Sequence, residues 1–169
     1  MAERYVRYSA EIGSIGTPDM ILGDAAPPHV TLVHASCDVA SALRWWESVR
    51  HELPESICVE LFGLLFSVIP VGNQYAPQGG LYVGLEALRT DAVAAAHHAV
   101  LSAANAAGVT PIGNTGDRYR PHLTLGVLRT APRVFPAMPA DLFDGQVCGV
   151  PVLGRLGDHG TITEIIRET

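Results

Sequence analysis

Tyr119-Arg120-Pro121-His122-Leu123-Thr124-Leu125-Gly126-Val127 decides how the chain is read, because its centre is written twice. The earlier copy is Pro27-Pro28-His29-Val30-Thr31-Leu32-Val33. Both run Pro-His-apolar-Thr-Leu, about half the chain apart. In an extended strand the side chains at i and i+2 share a face, so each copy sets an imidazole beside a hydroxyl. Val30 and Leu32, or Leu123 and Leu125, then fill the other face. Each copy is half of a possible site, and the two halves are expected to face each other within one molecule.

Composition frames that reading. The 169 residues are 48% hydrophobic and 17% charged, enough for one substantial core and a single globular domain over residues 1–169. A net charge of −6 argues against holding long nucleic acid by its phosphates, which needs a basic surface. A local pair such as Arg118 and Arg120 still suits a small or terminal phosphate. Cys37, Cys58 and Cys148 are odd in number, widely spaced and form no Cys-x-x-Cys, so they are expected as buried free thiols. With no apolar run of signal or membrane-span length, the expected location is the cytoplasm, away from membranes.

Around the two copies, residues 4–12 alternate and predict a first strand, with Tyr5 and Arg7 sharing a face that lines the cleft if it points inward. A loop over residues 13–28 leads into the first His-x-Thr strand, residues 29–34. Ser36 or Asp38 caps a helix whose stripe runs from Val39 to Leu53, with Trp46 inward and Trp45 at the rim. Residues 57–69 read as a long β segment bent at Gly63, followed by a loop over 71–80 and a strand over 81–85. Thr90 or Asp91 caps a second helix ending at Gly108. The second His-x-Thr strand covers 122–128, a single helical turn is expected near Pro139, and residues 147–156 and 161–167 form a hairpin around Gly157-Asp158-His159-Gly160.

Two histidines on opposite sides of one substrate make an acid and base pair, because imidazole with a pKa near 6.5 can hold or lack a proton at neutral pH. The threonine two residues on donates a hydrogen bond to an anionic oxygen without adding charge. Symmetric donors of this kind suit a phosphodiester better than a carbonyl. His-x-His and His-x-x-x-His spacings are lacking, so no metal or other cofactor is expected.

On these residues the chain resembles the 2H phosphoesterase superfamily, which includes 2'-5' RNA ligase-like proteins and cyclic nucleotide phosphodiesterases. The mark is the paired motif, here His29-Val30-Thr31-Leu32 and His122-Leu123-Thr124-Leu125, with Tyr119 three residues ahead of the second histidine and Pro121 just before it. The resemblance implies an α+β fold of two pseudo-symmetric lobes of antiparallel strands with outer helices and a central cleft. It implies metal-independent cleavage of 2',3'-cyclic, 2'-5' or cyclic oligonucleotide phosphodiesters, with His29 and His122 as acid and base and Thr31 and Thr124 holding the phosphate. The order of the two roles stays open. Alternatives are an RNA end-processing enzyme or 2'-5' RNA ligase, and a non-catalytic nucleotide-binding module. The acidity favours a mononucleotide, short oligonucleotide or cyclic signal; oligomeric state is not readable.

For specificity, Arg118, Tyr119 and Arg120 stand just ahead of the second motif, where Tyr119 could stack on a base and an arginine meet a phosphate. Tyr75, in a loop, is a further candidate. His34 lies at an odd offset from Thr31, so a regular strand would turn it away from the cleft, and His97 falls on the apolar stripe of its helix.

Overall fold

The computed structural model describes residues 2–168. The chain is α+β with all strand pairings antiparallel. It opens with helix α1 (Glu3–Ile15), not the strand expected there. Residues 4–12 carry two periodicities at once, and the large residues follow the helical one. Tyr5, Tyr8, Ser9 and Ile12 lie at i, i+3, i+4 and i+7 and are the residues α1 buries. Ser9 Oγ donates to Leu125 O and accepts from Leu22 N–H, which fixes the helix on the sheet beneath.

That sheet has the order β1-β6-β4-β3-β7, from β1 (Pro18–Ile21), β3 (Ile57–Ile69), β4 (Gly80–Ala87), β6 (His122–Leu128) and β7 (Gln146–Gly149). β1 lies inside the stretch expected to be loop. β3 is bent as Gly63 suggested: its first four residues pair with β7, the pairing with β4 runs from Leu61, and the register slips between Leu61 and Gly63. Two smaller pairs complete the strands: β2 (His34–Ser36) with β5 (Thr110–Ile112), and the hairpin β8 (Val152–Leu156) with β9 (Ile162–Glu168). Pro151, with no N–H to offer a ladder, separates β7 from β8 where one strand was expected.

Helices α2 (Val39–Val49) and α3 (Asp91–Ala106) are capped as anticipated, by Asp38 accepting from Ser41 N–H and Thr90 accepting from Val93 N–H. Gly108, at φ +67°, ends the second. Trp46, Val49, Val100, Ala104 and Leu153 form one core, and Tyr5, Tyr8, Leu85, Leu123 and Leu125 a second, with Ile57 packed against both. Trp45 is buried rather than at the rim, because its indole N–H donates to Val100 O at 3.0 Å.

The first motif is not a regular strand. Pro27 and Pro28 lack N–H groups, which starves a ladder there, and only Val30 bridges to the sheet, opposite Leu123. Regular pairing begins at His34.

The cysteines also depart from expectation. Cys58 and Cys148 stand directly opposite each other on β3 and β7 and form a disulfide, while Cys37 is exposed and free. Pairing across two strands far apart in sequence leaves no spacing signature. Among the described residues no helix is long and apolar enough to cross a membrane.

The bond closes a loop across a sequence separation of 90, so its removal is expected to cost about 4 kcal/mol through the unfolded chain. Reduction should lower Tm by roughly 10 °C. Alkylation should label Cys37 alone before reduction. Labelling of all three cysteines without reductant, with an unchanged Tm, would contradict the pairing.

Candidate functional site

The second motif sits on β6, where every residue after His122 is buried, Thr124 included. Leu123 and Leu125 are buried in the core, while His122 is half-buried and Thr124 lies on its side of the strand. Thr124 pairs opposite Gly84 of β4. A Cβ at Gly84 would lie 2.9 Å from Leu123 O and 3.3 Å from the Tyr82 ring, so glycine is needed for the close approach.

The first motif reaches the same place by a different route. Val30 bridges Leu123, and Tyr119, just ahead of the second motif, donates from its hydroxyl to Thr31 O at 3.0 Å. Tyr119 is buried and stacks flat on His97, with ring centroids 3.9 Å apart and planes at 3°. His97 in turn donates from Nδ1 to Leu32 O at 2.8 Å and accepts Gly116 N–H at Nε2. Tyr119 is therefore the clamp that joins the two motifs, and its ring face is taken by His97 rather than left for a base. Arg89, unremarked in the sequence, lies over the same ring at 5.7 Å. Burial pushes the Tyr119 phenol up, so it stays a donor.

Both motif histidines are braced alike. His29 Nδ1 lies 2.9 Å from Pro27 O, and His122 Nδ1 lies 2.8 Å from Arg120 O. A carbonyl only accepts, so each Nδ1 carries a proton and donates to the residue two positions earlier. The rings differ at their other nitrogen. His29 Nε2 faces Gly160 O at 3.1 Å, and only a ring protonated on both nitrogens donates to both carbonyls. Gly160 holds that carbonyl from a left-handed turn, with φ +60° at His159 and +76° at Gly160. His122 has its pKa lowered, first by burial and then by the fields of His29 and Arg120, against the raising effects of the Arg120 carbonyl and Glu86. With Nδ1–H committed, its Nε2 is left as a lone pair. Val30 and Leu123, the residues next to the two histidines, bridge one another, which sets the two motifs side by side.

His34 belongs to this group, contrary to the odd-offset expectation. Because residues 29–33 are not a regular strand, its Nε2 comes to 3.2 Å from Thr31 Oγ1, and its Nδ1 to 3.0 Å from the Tyr75 hydroxyl. Its pKa is lowered to about 4 by burial, then by the charges of His29 and His122. Tyr82, missed in the sequence, hydrogen-bonds Thr124 Oγ1 and meets the His122 ring edge-on at 5.6 Å. Burial drives its phenol up to about 12. A tyrosine inside the apolar run 81–85 was the available signal.

The remaining candidates disperse. Arg120 is exposed and pairs with Glu86, and Arg118 is exposed beside it. Tyr5 is buried on α1 and lines an apolar cavity that also reaches His29 and Thr31, whereas Arg7 pairs with Asp141 at 3.3 Å on the surface. The face the two were expected to share is lost because α1 is a helix, in which residues two apart diverge by about 200°. That cavity, of about 780 Å³, has mostly apolar walls from both cores; it reaches His29, Thr31 and His34 but neither His122 nor Thr124, and so is not the space between the motifs. Among the described residues no three His, Cys, Asp or Glu side chains converge to hold a metal ion.

His34, His97 and His122 all have folded pKa values below the ordinary value near 6.5. As pH falls from there toward about 4, the unfolded chain binds more protons than the folded one, and stability drops. Tm measured from pH 7.5 to 4.5 is expected to fall, with a shallower slope in His34→Asn; a Tm constant or rising over this range contradicts the buried neutral rings. No family model matches the chain, and no curated protein or solved structure matches it.

Proposed function

We propose that this chain is a 2H-type phosphodiesterase that opens a strained or 2'-5' phosphodiester in a small or cyclic nucleotide, with His122 as general base and His29 as general acid. The observation that carries this reading is that two rings braced alike at Nδ1 differ at Nε2: that of His29 faces the Gly160 carbonyl at 3.1 Å, an acceptor for a proton there, while His122 has its pKa lowered by burial.

For a 2',3'-cyclic phosphate the step balances simply. Water attacks phosphorus as His122 Nε2 takes its proton, forming the new P–O bond. The P–O bond to the departing ribose oxygen breaks as that oxygen receives the Nε2 proton of His29, taking the place that Gly160 O holds beforehand. The growing charge on the phosphate oxygens is met by the Thr31 and Thr124 hydroxyls and by the imidazolium. After one turnover His122 carries the proton and His29 lacks it, and exchange with solvent resets them. General acid–base steps of this kind are worth about 10²–10⁴ each in rate.

The small-substrate reading draws on charge. At a net −6, with Arg120 paired to Glu86, the surface offers little for a long phosphate backbone. A pseudo-symmetric pair of lobes remains part of this proposal, supported by the matched histidine braces. A reducing compartment would keep Cys58 and Cys148 as thiols, so assays belong in both redox states.

The test is a panel of 2',3'-cyclic mononucleotides, 2'-5' and 3'-5' oligonucleotides and cyclic dinucleotides, with chelator throughout. Turnover should persist in chelator and drop by at least about 10³ in both His29→Ala and His122→Ala, while both variants keep the wild-type circular dichroism spectrum. Binding without turnover by the wild type would favour a binding module and contradict the enzyme reading, as would loss of all turnover on chelation.

A further inference from the structure

His34 makes two hydrogen bonds to hydroxyls, and a hydroxyl can donate or accept, so the ring admits two arrangements. In one, Tyr75 donates its phenolic proton to Nδ1, Nε2 carries the ring proton, and Nε2–H donates to Thr31 Oγ1. The Thr31 proton is then left for another acceptor. In the other, Thr31 donates to Nε2 and Nδ1–H donates to Tyr75, so the Thr31 hydroxyl has nothing to give a phosphate.

The surroundings favour the first. A phenol is a stronger donor and a poorer acceptor than an aliphatic hydroxyl, so the Tyr75 proton points at His34 Nδ1, 3.0 Å away. Burial keeps Tyr75 protonated. The Thr31 main chain is held independently through its carbonyl by Tyr119, so the hydroxyl rotor is the one freedom left at that residue. Thr124 is treated in parallel by the hydroxyl of the half-buried Tyr82. Each motif threonine thus has a ring-borne partner outside the His-x-Thr pattern.

We propose that His34 and Tyr75 form a positioning dyad, Tyr75 O–H to Nδ1 and Nε2–H to Thr31 Oγ1, which sets the Thr31 hydroxyl to donate to a phosphate oxygen of the substrate. The role rests on the phosphodiesterase reading above. His34 acts through Thr31 and does not itself touch the reacting atoms. A misdirected Thr31 matters most where the phosphate charge is greatest, in the transition state, so the loss falls on kcat rather than KM.

Two measurements decide it. Long-range ¹H–¹⁵N correlation of the wild-type histidines at pH 7 reads the tautomer directly and needs no activity; a protonated Nε2 with bare Nδ1 at His34 is expected, and the reverse overturns the dyad. With the best 2',3'-cyclic mononucleotide, Tyr75→Phe and His34→Leu should each lower kcat by about tenfold with KM within about twofold. Their effects should not add, so that the double variant loses no more than His34→Leu alone. His34→Gln, which keeps a side-chain N–H toward Thr31, should recover most of the rate. Independent, additive losses or a loss confined to KM would overturn the dyad while leaving the phosphodiesterase standing. Absence of turnover by the wild type on every substrate would instead remove the reading on which the dyad depends.

Discussion

The hydrogen bond from the Tyr119 hydroxyl to the Thr31 carbonyl is the contact on which the site depends. The first motif has little structure of its own. Two prolines precede it, a single bridge at Val30 ties it to the sheet, and regular pairing starts only at His34. Tyr119 takes hold of it from the loop ahead of the second motif, and the stack on His97 fixes Tyr119 in turn. His97 closes the circuit by bonding Leu32 O. A neutral, buried histidine is well suited to this: one nitrogen donates and the other accepts, so two segments of backbone are satisfied by one ring while its face stacks on Tyr119.

Around that clamp the two histidines share a brace and differ in what stands before Nε2. On the proposed reading, a carbonyl before Nε2 at His29 and none there at His122 divide one residue type into proton donor and proton acceptor, the separation that acid and base chemistry at neutral pH requires. His34 extends the polar group without adding charge, because burial and its two histidine neighbours keep it neutral. The Gly160 carbonyl has its position from a left-handed turn between β8 and β9, so the last hairpin of the chain acts on a residue near its beginning.

The parts of this arrangement that were legible in the sequence are those with a local signature. Helices α2 and α3 declared themselves through caps and stripes, β6 through alternation, and the bend in β3 through Gly63. α1 misled because Val6, Tyr8, Ala10 and Ile12 alternate while Tyr5, Tyr8 and Ile12 keep helical spacing. Tertiary burial of the tyrosines decided between the two. His34 misled because its offset from Thr31 has meaning only in a regular strand, and the prolines prevent one. The Cys58–Cys148 bond and the Tyr82–Thr124 contact join residues distant in sequence, for which no local pattern exists. Tyr119 was noticed, but as a surface for a base, and its partner His97 on another helix could not be paired with it from spacing alone.

The central claim is that both motifs serve a single phosphate. Titration of a nucleoside 2'-monophosphate into the protein, followed by the side-chain ¹⁵N signals of His29 and His122, tests it most directly. One binding event should shift both rings with a common Kd, and the shift at His29 should accompany release of Nε2 from the Gly160 carbonyl. Response of one ring alone, or two separate binding constants, would mean that the two copies do not form one site.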